Sequence, residues 1–431
     1  MLPAIASAAV ISLADPYRGD GGKPVVLAGL LEHLADRLGP EHVHYVLIGG
    51  RPPGCSESFP VRLHELPASP ALHRVLGMLT RTFTHRAPLQ EALLWSPQLA
   101  RNLDRLLGAL SVDLEIYDTN RTGQYANHGR TARRVCYVDD LMSVRYSRML
   151  RAMELHPDVD MQPLGTFAAQ VPAPLRPLAA TRPAQRGLLA LERRLVRRSE
   201  DRTAQDFDRS LLVSTDEAER LAERAGVSAD RVVAIPPLVD VALPSRIRRP
   251  HPTPEYVFLG LLSAPHNEDG LRHVLREVWP QLLRRRPDAR LRVIGRGARP
   301  GLLEAARRHG DSVTFEGYVD DLDEALSRAT AMVNILRFGT GVKIKILEAL
   351  GRGLPVVSST VGAEGVQHGE GTGLLVADDA AGQVEALLRL TDPVTNLRAS
   401  KEASAHFAER YTRKAAFAAY DAALGLEMDY R

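Results

Sequence analysis

The sequence is short of several things, and each shortage excludes something. Its two cysteines, Cys55 and Cys136, stand far apart and match neither a metal-ligand spacing nor a disulfide framework. That suits a reducing compartment, so a cytoplasmic protein is expected. Aromatic residues make up only 5%, and no basic stretch is interleaved with them, which argues against a base-stacking surface. Neither sign of charge dominates: Lys plus Arg is 55, Asp plus Glu is 52, and the net charge is +3. That balance speaks against nucleic acid as a partner. No apolar run reaches the ~18 residues of a membrane span. The apolar start, Leu2 to Leu13, has no Lys or Arg before it and runs into Asp15-Pro16. It reads as a buried first strand rather than a secretory leader. No Gly-x-Gly-x-x-Gly run follows a strand and opens a helix, which counts against a dehydrogenase.

What is present is strand–loop–helix alternation in two blocks, in a chain of 431 residues that is 45% hydrophobic. The first block predicts strands over 4–13, 44–48, 63–67, 114–117, 134–138, 209–214 and 231–236, with helices over 24–38, most of 74–110 (broken near Pro88 and Pro97), and 216–225. Pro237 to Glu255 then holds five prolines and no period, the best domain boundary in the chain. The second block predicts strands over 256–259, 291–294, 313–315, 331–336, 354–358 and 374–376, and helices over 271–286, 302–309, 321–328 and 342–350. The expectation is an α/β protein of two Rossmann-like, doubly wound domains facing a cleft. Residues 1–240 form the first domain, 241–255 the linker and 256–408 the second domain, with 409–431 a C-terminal helix free to cross back to the first.

The most informative stretch runs from Asn334 to Gly365. A short strand leads into Phe338-Gly339-Thr340-Gly341, then a helix, a second strand and a second glycine turn. A glycine turn feeding a helix N-terminus offers free N–H groups and partial positive charge, which suits a phosphate. At ~100° per residue Gly341, Lys345 and Glu348 share one stripe of the helix. An ammonium at the mouth and a carboxylate one turn deeper suit a nucleotide diphosphate, the first for phosphate oxygens and the second for ribose hydroxyls. The alternative is an exposed Lys345–Glu348 pair of no function.

Other features stand at strand ends. Gly21 and Gly22 follow the first strand, and Gly260 and Gly295 end two strands of the second block. Asp139 and Asp140 end the 134–138 strand, where one acid would face a ligand; a helix cap is the rival account. The helix at 185–198 sets Leu188, Leu191 and Leu195 against Arg193, Arg194, Arg197 and Arg198, either a solvated face or a peripheral membrane contact. Asp320-Asp321-Leu-Asp323 opens a helix and reads as a cap rather than a metal site.

The second block resembles the GT-B glycosyltransferases, in particular retaining family 4 (glycosyl transferases group 1). The residues that carry the resemblance are Tyr256-Val-Phe-Leu-Gly260 with Pro265 and Asn267, Pro287 to Gly295, Val313 to Asp320, and the stretch through Gly365. The first block is similar more loosely, through Gly21-Gly22, the Asp139-Asp140 region and the 192–214 pattern, and looks most like an exopolysaccharide-type bacterial subgroup.

The resemblance implies transfer of a sugar from a nucleotide-diphosphate donor, a UDP- or GDP-sugar, to a hydroxyl of a saccharide, lipid-linked or natural-product acceptor. Retention of configuration, no metal, no resident cofactor and a place at the inner face of the membrane are further expectations. It assigns Lys343 and Lys345 to the diphosphate, Glu348 to the ribose, and Gly339, Thr340 and Gly341 to the donor sugar or phosphates. Tyr318 and Val319 would meet the base through backbone groups, Gly21 and Gly22 would border the phosphates, and Asp139 or Asp140 would sit near the acceptor. The wider family has two glutamates with seven residues between them; the position of the first is Thr340 here. A threonine cannot stabilise positive charge as a carboxylate does. That departure keeps two rivals open: a catalytically degenerate donor-binding subunit, and a sugar-nucleotide epimerase. Oligomeric state is left open.

Overall fold

The computed structural model describes residues 5–18, 22–51, 59–68, 77–82, 84–155, 181–239, 241, 253–339 and 341–426. Gly21 and Thr340 lie outside the described residues. The chain divides into two compact units. Unit 1 comprises Met1–Ser147, Pro174–Leu238 and Ala416–Arg431, and unit 2 comprises Arg148–Ala173 and Val239–Ala415.

Unit 1 is built on β1 (Ala8–Ser12), β2 (Val43–Ile48), β3 (Arg62–Leu66), β4 (Leu114–Asp118), β5 (Arg133–Asp139), β6 (Arg209–Leu212) and β7 (Val232–Ala234). They pair in parallel in the order β3-β2-β1-β4-β5-β6-β7. β1, β2 and β4 are buried at every position, as strands covered on both faces must be. One face packs on Leu27, Leu30 and Leu31 with Tyr420 and Leu424 from the chain's end, and the other on Leu99, Leu103, Leu107 and Leu221.

Unit 2 repeats the plan with β8 (Glu255–Leu259), β9 (Arg290–Ile294), β10 (Val313–Gly317), β11 (Ala331–Asn334), β12 (Val356–Ser358) and β13 (Leu374–Val376). The order is β10-β9-β8-β11-β12-β13, again all parallel, which is the Rossmann order. Strand order reverses between β8 and β11, so the helices leaving those two strands both begin at the edge where ligands of such sheets bind.

Two expectations need correction. The helix expected from residue 271 begins earlier: the helix after β8 is Pro265–His273, which carries Asn267, with proline in its first turn, where its missing N–H costs nothing. The helix after β11 is Ile344–Gly351, so Lys343 is its N-cap residue and Gly341 lies outside it. Gly341 therefore shares no helical stripe with Lys345 and Glu348. The helical period over 74–110 breaks where expected, near Pro88 and Pro97: among the described residues it falls into Met78–Thr82, Leu89–Leu94 and Pro97–Leu110.

Candidate functional site

In unit 2 the carboxyl ends of β8, β9 and β10 are tied together by their backbones. Gly260 N–H donates to the Ile294 carbonyl at 3.0 Å, and Gly295 N–H to the Gly317 carbonyl at 2.7 Å. Gly295 has φ 146°, and a Cβ there would lie 1.8 Å from the Gly260 carbonyl oxygen. No other residue fits. At Gly260 a Cβ would press on the Asn267 side chain, at 2.8 Å.

Asn267 is buried and links this edge to the next helix. Its Nδ2 donates to the Leu261 carbonyl at 3.0 Å, and its Oδ1 accepts from Lys345 Nζ at 2.9 Å. The Lys345 ammonium also lies 5.0 Å from the centre of the Phe258 ring. Burial, and then the charge of Lys343, push its pKa down to about 7. Lys343, itself buried, donates from Nζ to the Gly341 carbonyl at 2.6 Å. Gly339 lies against it, since a Cβ there would stand 3.6 Å from Lys343 Cε. Two lysines thus converge on the N-terminal end of one helix, where the backbone already favours an anion.

Glu348 lies one turn further on. Its carboxylate pairs with Arg352, which also engages Asp323. The Lys345–Glu348 pair considered from sequence is thus replaced by Lys345–Asn267 and Glu348–Arg352. Tyr318 and Val319 part company. Val319 packs on the core, while Tyr318 is 62% exposed with the Arg296 guanidinium 4.5 Å over its ring. The Asp321 side chain accepts from Glu324 N–H at 2.9 Å, so it caps the Leu322–Leu326 helix as expected.

Unit 1 has its own cluster, at the ends of β1, β4 and β5. Gly22 begins the helix Gly22–Leu38, and the next residue, Lys23, reaches Asp118 at 2.5 Å and Asp139 at 3.4 Å. Ser12 Oγ donates to the other Asp118 oxygen at 2.6 Å. Asp140 instead pairs with Arg145. The two adjacent acids thus do different things. Sequence inspection missed Lys23, Asp118 and Ser12; each is an isolated polar residue at a strand end or helix start, and the residues they meet are roughly a hundred positions away. No helix among the described residues is long and apolar enough to cross a membrane. In the Arg182–Asp206 helix, Leu189, Leu195 and Val196 are buried and Arg193, Arg194, Arg197 and Arg198 are exposed.

Two parallel Rossmann-like domains of this kind define the GT-B class. Residues 253–392 match the family model for Glycosyl transferases group 1. An uncharacterized 44.6 kDa protein in the cps region of Klebsiella pneumoniae is 28% identical over 189 residues, which is 40% of this chain and 44% of that protein. The phosphatidyl-myo-inositol mannosyltransferase of Mycolicibacterium smegmatis is 32% identical over 140 residues, 32% of this chain and 36% of that protein. The chain thus matches less than half the length of these curated relatives. In fold it is similar to Anabaena Alr3699/HepE, solved in complex with UDP, with a TM-score of 0.58 at 13% identity over 96% of this chain and 97% of the other.

Proposed function

We propose that the protein transfers a sugar from a nucleotide-diphosphate donor to an acceptor hydroxyl, with retention. The observation that carries this is the pair of lysines, Lys343 and Lys345, at the start of the Ile344–Gly351 helix in a group 1 glycosyl transferase domain. The leaving diphosphate carries its charge in the transition state, and fixed cations beside a helix N-terminus stabilise charge where it develops. On this reading Glu348 takes the ribose hydroxyls, and its ion pair with Arg352 orients the carboxylate. UDP- and GDP-sugars are the donors to try first; the UDP bound by the Anabaena protein supports the former.

The test is a thermal-shift screen of UDP-, GDP- and dTDP-sugars, since only a true donor raises the melting temperature appreciably. Lys345→Ala should then lower turnover by two orders of magnitude or so, on the order of removing one charge-stabilising donor. Glu348→Ala should mainly weaken donor binding. Unchanged turnover in both variants rules this site out.

A second reading has one observation behind it, the threonine at position 340 where the wider family has a glutamate. On that reading the protein is a donor-binding subunit without chemistry. Calorimetric donor binding with neither donor hydrolysis nor transfer would favour it. The exposed arginines of the Arg182–Asp206 helix fit a membrane-borne acceptor at the inner leaflet, and binding to anionic but not neutral vesicles would support that.

A further inference from the structure

The cluster in unit 1 breaks two local rules at one place. Lys23 sits in the first turn of a 17-residue helix, at the end where the helix dipole disfavours a cation. Its ammonium is largely buried, 4.8 Å from the centre of the Tyr137 ring. Burial works against that charge, and Asp118 and Asp139 more than offset it, so the pKa rises. Asp139, for its part, has φ 77°, which is uncommon outside glycine and tolerated best by Asp and Asn. The strand register with β6 slips between Tyr137 and Asp139, and Val213 N–H donates to the Asp139 carbonyl at 2.9 Å to hold the distorted backbone. Such slips re-aim a side chain. Both irregularities lie beside the point where the sheet order of unit 1 reverses, between β1 and β4.

Charge balance distinguishes the two carboxylates. Asp118 is almost wholly buried, is bonded to Ser12, and by itself neutralises Lys23. Asp139 is not needed for that, and its side chain is 36% exposed. Asp140 is excluded because Arg145 occupies it. One carboxylate is left facing solvent at the ligand edge of the sheet, steadied from behind by a lysine.

We infer that Lys23, fixed by Asp118, is a positioning residue that holds the Asp139 carboxylate to accept the hydrogen bond of the incoming acceptor hydroxyl. This rests on the glycosyltransferase reading. The groups facing Asp139 are Lys23 on the helix, Asp118 on β4, its neighbour Asp140 with Arg145, and the phenols of Tyr137 and Tyr420, both raised by burial. Burial raises the Asp139 pKa, Lys23 pulls it down, and Asp140 and Asp118 push it up.

The experiment uses the full chain, its best nucleotide-sugar donor, and octyl glucoside, octyl mannoside and glycerol as acceptor probes. Lys23→Met should lower transfer to the probe by about tenfold to a hundredfold, the range expected for a misplaced hydrogen bond to a charged group. The donor-induced melting shift should stay unchanged. Lys23→Arg should restore most of the transfer. Asp139→Asn tolerates the same backbone and should share the defect. The acid limb of the transfer rate should move to higher pH in Lys23→Met, because the cation that favours ionised Asp139 is gone. Wild-type transfer with an unaltered Lys23→Met rate overturns this assignment alone. So does loss of activity that only tracks the loss of folded protein and is not rescued by arginine. Wild-type protein that binds no donor, or transfers to none of the probes, overturns the glycosyltransferase reading and this assignment with it.

Discussion

Lys345 is held by a neutral amide and an aromatic face, with a second lysine as its charged neighbour. On the proposed function, its pKa of about 7 bears on donor binding. A bound diphosphate favours the protonated amine, so the bound value is higher than the free one. The sign follows: below about pH 7 the ammonium is already present and affinity is greatest. As pH rises through 7 the free protein loses the proton and must regain it on binding, so affinity falls, by up to about tenfold per pH unit until the bound value is reached. Calorimetry near pH 8 in two buffers of different ionisation heat should show uptake of a proton on donor binding. In Lys345→Met the dependence should flatten. At this scale the sequence said only part. It showed a lysine near a helix start, but not that Asn267, 78 positions away, would be its partner. Lys23 was missed for the same reason, because Asp118 and Asp139 are neighbours only once β4 and β5 lie side by side.

Elements were easier to read than contacts, because each is written in a local period. The inner strands of both sheets begin or end within a few residues of their apolar runs, since a strand covered on both faces is largely apolar. One expectation slipped at a proline. Pro265 stands in the first turn, where its missing N–H costs nothing, so that helix starts ahead of the expected 271 and carries Asn267 inward. Close approach between elements leaves its trace in glycine. Gly295→Ala would drive a methyl into the Gly260 carbonyl at a backbone angle that alanine resists. A loss of about 2 to 3 kcal/mol is expected, the upper range for overpacking. Because the shift falls between β8 and β9, a lowered denaturation midpoint should come with weaker donor binding; an unchanged midpoint would show that the strand ends part more easily than the structure implies.

At the scale of the whole molecule, unit 1 is discontinuous in sequence. Its core takes Ala416, Tyr420, Ala423 and Leu424 from the last helix, Arg413–Leu424. Asp421 on that helix accepts from Arg37 and lies 2.8 Å from His33, whose ring stacks on Phe417. Arg133 and Arg209 donate to carbonyls at its end. Truncation before Arg413 should therefore destabilise unit 1 by roughly 5 kcal/mol, counting a few buried side chains at their usual worth. Hydrogen exchange should quicken across β1 to β7 and stay slow across β8 to β13; equal loosening of both sheets would contradict it.

That returning helix also bears on how the chain is made. A ribosome that has just released Leu238 has supplied every strand of the first sheet but not its last covering helix. At roughly 5–20 residues per second, the missing piece arrives some ten to forty seconds later, after the second sheet has been threaded out. The amino-terminal half therefore matures last, and in the interval its uncovered apolar face is what a chaperone would meet.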